Sequence, residues 1–218
     1  MARDTFDKQL GDLKAQVMEM ADLAKWMFET GVQSLIDLSD DTADEVLEKR
    51  HRLAELDEQI EEDALKLVAR QQPMAKDMRA IGAALKLITY INRIGRYGKD
   101  IAQITTQWDS ETHYSDLVNL PRMVELVHNG LNHVLRCYHE EEDIDLEQLV
   151  EWEDEIDALR WSVFRECLTY MAQDPEHIEE YAYYMMIARY LERCGDNVCK
   201  MAEKIHYMVE GEHLAIDT

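Results

Sequence analysis

Punctuation is scarce in this chain: glycine occurs 8 times and proline 3 times in 218 residues, while Leu, Ala, Glu, Lys, Met and Arg are plentiful. Few turn formers among many helix formers predict long helices. The four cysteines, Cys137, Cys167, Cys194 and Cys199, show no CxxC spacing, which predicts reduced thiols packed in helices rather than disulfides or zinc ligands. No apolar run approaches the roughly 18 to 20 residues needed to cross a bilayer. The opening MARDTFDKQL also lacks the basic and apolar regions of a signal peptide, so the expected location is the cytoplasm. Basic residues number only 23 against 46 acidic ones, a formal net charge of −23. Such a surface repels nucleic-acid phosphates and anionic lipids, and no basic run supplies a local exception. The acidity reads first as a solvated surface and names no function. A Gly-rich phosphate loop is missing, as is an evident nucleophile paired with a histidine base.

What the chain does have is helical periodicity. Pro73, Pro121 and Pro175 each stand beside a break in that periodicity and mark turns between helices. The polar stretches SDDTADE at 39–45 and EEEDID at 140–145 make two further breaks, where Ser or Asp can cap the following helix. The expected fold is all-α, with six helices at about 5–38, 43–71, 75–107, 118–141, 145–172 and 177–210. In the last of these, Tyr181, Met185, Ala188, Leu191, Cys194, Val198, Met201, Ile205 and Met208 recur at steps of three and four, the pattern of a bundle seam. Leu149, Trp152, Ile156, Leu159, Val163 and Tyr170 form a similar series in the fifth, so the fifth and sixth helices should pack as antiparallel neighbours.

An offset of one hundred residues aligns the two halves, matching Glu55 with Glu155, Asp57 with Asp157, Ile91 with Leu191, Arg93 with Arg193, Gly95 with Gly195 and Ala102 with Ala202. The expected architecture is therefore two tandem three-helix bundles, at about 1–110 and 111–218, with a continuous six-helix bundle as the other reading of the same pattern.

Glu153 and Asp157 lie four residues apart in the fifth helix, as do Glu192 and Asp196 in the sixth, so each pair shares a helix face. The pairs are centred at residues 155 and 194, equally far from a turn near Asp174 and Pro175, and in an antiparallel hairpin they lie level. Four partly shielded carboxylates would repel one another and raise each other's pKa values unless a cation compensates. Oxygen ligation favours Mg, Mn, Ca or iron, and zinc also accepts carboxylates. Geometry alone leaves both a metal site and a solvated acidic ridge open. The equivalent positions in the first repeat are Leu53, Asp57, Asn92 and Arg96, with one anion among them. A comparable metal site is not expected there, and an Asp57–Arg96 pair could supply the compensating charge instead.

YLERCGDNVCKMAEKIHYMVEGE at 190–212 resembles the LERIGDxAxNIAE segment that ends a PhoU repeat. RQQPMAKDMRAIGAALKLITYINRIG at 70–95 resembles the corresponding first-repeat stretch, with its turn proline, a DLR-like triplet at Asp77 to Arg79 and an RIG motif at Arg93 to Gly95. The resemblance to the PhoU family runs from about residue 8 to 212. It implies two three-helix bundles whose E(D)xxxD motifs bind iron or zinc clusters. By position the family's metal motif falls on Glu153, Asp157, Glu192 and Asp196. The resemblance further implies a homodimeric, non-enzymatic adaptor. Its partners would be the ATPase of a phosphate ABC transporter and, in many bacteria, a sensor histidine kinase, with phosphate uptake or the starvation response restrained. Asn92 and Arg96 depart from the pattern and count against a second cluster.

Among the remaining residues, His128, His133 and His139 do not share one helix face and are expected at the surface. His206 lies ten residues beyond Asp196, about 15 Å along the helix, too far to ligate with it. Trp26, Trp108, Trp152 and Trp161 read as core or partner contacts, Gly95, Gly98 and Gly195 as points of close helix packing, and the tail from His213 as disordered. A ferritin-like carboxylate-bridged oxidase or storage protein is the rival from another class. Its Glu-x-x-His pairs do not occur among the four carboxylates. A helical scaffold that binds metals only adventitiously is the third reading.

Overall fold

A computed structural model describes residues 2–71, 73–110, 112–113 and 119–216, and all of its regular structure is helical. Six long helices run in the order α1 Ala2–Asp37, α2 Asp40–Gln71, α3 Ala75–Thr105, α4 Asn119–Glu140, α5 Leu146–Gln173 and α6 Ile178–Glu210, with a single tight turn of helix at Pro175–His177 before α6. The sequence-based limits agree to within about three residues. The expected start of the fourth helix at 118 lies outside the described residues.

Local chemistry sets the helix limits. Leu38 adopts a left-handed φ of 49° between α1 and α2, and the Thr42 amide then donates to Ser39 Oγ at 3.3 Å, capping α2. Asp145 does the same for α5, accepting from the Gln148 amide at 3.2 Å. At the end of α6, Gly211 takes φ 81° and its amide closes on the Tyr207 carbonyl at 3.0 Å.

The first three helices pack pairwise with one another, as do the last three. The halves meet through α3 against α6 and α1 against α4, leaving α2 and α5 on opposite flanks. Steric permission for the closest approach comes from two glycines. A Cβ at Gly98 would stand 2.4 Å from the Met27 carbonyl oxygen, and one at Gly31 would stand 2.3 Å from the Gly98 carbonyl oxygen. Backbone meets backbone where α1 crosses α3.

The expected α6 seam is buried from Tyr181 to Met208, with Met185 only partly so. In α5, Leu149, Ile156 and Val163 are buried, whereas Tyr170 is exposed and stacks its ring on Tyr181 with centroids 5.4 Å apart. All four cysteines are free and buried. Trp161 is exposed rather than in the core, while Trp26, Trp108 and Trp152 pack partly buried against it.

Two expectations need correction. His139 is exposed, but His128 and His133 are half-buried, because α4 lies against α1 and α5: His128 pairs with Glu29 of α1, and His133 meets the Trp152 ring edge-on. The tail is ordered to residue 216, with residues 217–218 outside the described set. After the Gly211 turn it folds back along α6, stacking His213 on Tyr207 and burying Ile216, whose amide donates to Glu203 Oε1 at 3.1 Å. Among the described residues, no helix is long and apolar enough to cross a membrane.

Candidate metal centre

Helices α5 and α6 form the hairpin that carries the four acidic residues. Gly195 brings the helices close, since a Cβ there would stand 3.1 Å from Ile156 Cδ1. Glu153 and Glu192 are buried at 8 % and 7 % exposure, and Asp157 and Asp196 are half-buried. Glu153 lines a small apolar cleft with Leu126, Val127, Leu149, Val198 and Cys199. Burial first, and then the neighbouring charges of Asp157, Asp196, Asp154 and Glu192, push its carboxyl up to about 7. The Glu192 carboxyl is also raised, by burial and then by Asp196, against the opposing pull of Arg189 and Arg193. The four carboxylates thus share one electrostatic neighbourhood, as their level placement on the hairpin predicts.

Two of the four, Glu192 and Asp196, pair with arginines of α6 itself. Glu192 Oε1 accepts from Arg189 Nη1, and Asp196 Oδ2 accepts from Arg193 Nη1 at 2.8 Å. Arg193 Nε stands 3.8 Å from Glu192 Oε2, too far to hydrogen-bond, and that oxygen is buried without a partner. Glu153 has no ion-pair partner among the described residues. Sequence reading identified the acids but not these two guanidinium groups. The signal was available in the three-residue interval from Arg189 to Glu192 and from Arg193 to Asp196, a spacing that places side chains side by side on a helix.

No three His, Cys, Asp or Glu side chains among the described residues stand close enough together to hold a metal ion as placed. The donor set nevertheless suits a hard cation. It is all oxygen, it includes the unpartnered Glu192 Oε2, and it includes Glu153, whose charge is opposed by burial and by its neighbours. Guanidinium groups occupy part of the role a cation would fill.

In the first repeat the expected Asp57–Arg96 pair does not form. Asp57 is half-buried, and burial pushes its carboxyl up, partly offset by the neighbouring Asn92 side chain. Arg96 lies on the part of α3 that faces α6, where it lines a groove with Arg193 and Asp196.

A family model described as the PhoU domain matches residues 17–105 and 120–205. The chain belongs to the PhoU family. The two PhoU matches fall on α1 to α3 and on α4 to α6, one in each half. A phosphate-specific transport system accessory protein PhoU homolog of Rhizobium meliloti (strain 1021) is 32 % identical over 207 residues, spanning 94 % of this chain and 87 % of that protein. One of the same description from Caulobacter vibrioides is 32 % identical over 216 residues, spanning 96 % and 92 %. The crystal structure of PhoU from Pseudomonas aeruginosa superposes with a TM-score of 0.88 at 25 % identity, covering 95 % of this chain and all 100 % of that one. A phosphate transport system regulatory protein PhoU from Streptococcus pneumoniae shares the fold, with a TM-score of 0.86 at 20 % identity over 97 % of this chain and 100 % of its own.

Proposed function

We propose that this chain is an accessory regulator of a phosphate-specific transport system and works by contact rather than by turnover. The supporting observation is the extent of the match: relatives described as accessory proteins of that system align over 94 % and 96 % of the chain, through both halves. Its partner is the ATPase of a phosphate ABC transporter, with a sensor histidine kinase as a second contact. A homodimer in the cytoplasm restrains uptake when phosphate is plentiful. The decisive experiment measures labelled phosphate uptake in phosphate-replete cells of the source organism with and without the gene. Uptake should rise on deletion and fall again when the wild-type chain is restored; unchanged uptake refutes the reading.

The same proposal gives the second half one metal ion or small cluster, held by Glu153, Asp157, Glu192 and Asp196. Iron or zinc is the first expectation, with Mn, Mg or Ca open to the same test. When bound, the metal supplies fixed positive charge that neutralises the cluster and ties α5 to α6. The chain's own contribution is the level placement of two acidic pairs and an apolar wall beside Glu153. Metal analysis of protein purified without chelator or affinity-tag metal should find a stoichiometric ion. The Glu192→Ala/Asp196→Ala variant should lose it while keeping its helix content. Metal-free wild type, or equal metal in the variant, removes the centre from the proposal.

A further inference from the structure

A second charged feature lies where the two halves meet. Between α3 and α6 runs a groove of about 470 Å³ whose charged lining is Arg93, Arg96 and Asp100 from α3 and Arg193, Asp196 and Lys200 from α6. Four cations against two anions reverses the balance of the chain, which has 23 basic and 46 acidic residues. The groove gathers from two helices the basic patch that no single stretch of sequence displays.

Both acids are already engaged. Asp196 accepts from Arg193 at 2.8 Å, and Asp100 meets Lys99 at 2.7 Å. Lys200 is directed toward Glu203 Oε1 at 2.8 Å and the Ile216 carbonyl at 3.3 Å. Arg93 and Arg96 are different: both are exposed, both line the groove, and neither has a carboxylate partner among the described residues. Arg93 instead lies over the face of Tyr90, with its guanidinium carbon 5.9 Å from the ring centre.

A guanidinium presents a planar fork of donors that matches the paired oxygens of an oxyanion. Two of them one helical turn apart, unpaired in a chain with a twofold excess of acid, would attract such an anion at short range even though the whole surface repels it at long range. We infer that this groove binds a phosphate oxyanion, free or carried on a nucleotide, through Arg93 and Arg96. The charge of the groove calls for an oxyanion; the choice of phosphate rests on the transport reading above. The groove also has an aromatic wall in Tyr97, whose ring stacks on Tyr190 with centroids 5.5 Å apart.

Titration calorimetry on the full chain at constant ionic strength tests this, using inorganic phosphate, ATP and sulfate as separate probes. Saturable binding of phosphate or ATP is expected, with sulfate at least tenfold weaker. The Arg93→Gln/Arg96→Gln variant should bind at least tenfold more weakly at an unchanged melting temperature. A Lys8→Gln/Lys49→Gln control should match wild type. Phosphate alone binding assigns the free ion, and ATP binding more tightly assigns the nucleotide. No saturation with either, equal binding by the arginine variant, or sulfate binding as well as phosphate overturns the inference. Because binding is read on the purified chain and transport control in cells, the two proposals fail separately. A chain that does not bind phosphate can still restore repressed uptake, and one that binds it can still leave uptake unchanged.

Discussion

At Glu153, burial and charge act in the same direction, which makes this side chain the most informative single position. In an unfolded chain its carboxyl titrates near its ordinary value of 4.5, whereas in the fold it is pushed up to about 7. Between those values the native state holds the extra proton, so stability is greatest below the window and falls as pH rises through it. Glu153→Gln in chelator-treated protein should therefore stabilise at pH 8 by about 1–2 kcal/mol, after allowance for solvent screening, and by almost nothing near pH 4.5. Urea unfolding at the two pH values checks this; a loss of stability at pH 8 would sink it. The carboxylates were legible in the sequence because helical rise and distance from a turn suffice to place them level. Their compensation was not, since it depends on which way long side chains reach. Arg189 and Arg193 turn toward acids on their own helix, and Arg96 lines the groove against α6 instead of pairing with Asp57.

Within α3, two glycines make opposite demands. Gly98 lies against the α1 backbone, with Met27 carbonyl oxygen 2.4 Å from where a Cβ would stand, whereas a Cβ at Gly82 would meet nothing within 4 Å. Gly98→Ala must force the helices apart and should cost about 1–3 kcal/mol, while Gly82→Ala should stabilise by about 0.5–1 kcal/mol through the lower entropy of the unfolded chain. Thermal unfolding of the two variants should move in opposite directions; a neutral Gly98→Ala would mean that the crossing is looser than described. Helix limits were largely readable in advance because Ser39, Asp145 and the prolines act locally. The fold-back of the tail was not. It depends on Glu203 and Tyr207, contacts made only after Gly211 has turned the chain.

Across the whole molecule, 46 acidic side chains against 23 basic ones give a net charge of −23, and the folded state concentrates that repulsion more than the unfolded chain does. Raising NaCl from about 0.1 M to 1 M shortens the screening length from about 10 Å to 3 Å. The melting temperature of chelator-treated protein should rise by at least about 2 °C, roughly 1 kcal/mol for a chain of this size. A fall under the same conditions would mean that attractive ion pairs outweigh the net repulsion. The pairing of the halves through α3 and α6 has a consequence of a genetic kind. In a dimer of identical half-length chains, positions 96 and 196 would be one codon, and any change would appear on both walls of the interface. Joined in one chain they are two codons, so Arg96 and Asp196 can face the same groove, and each wall can change its chemistry without altering the other.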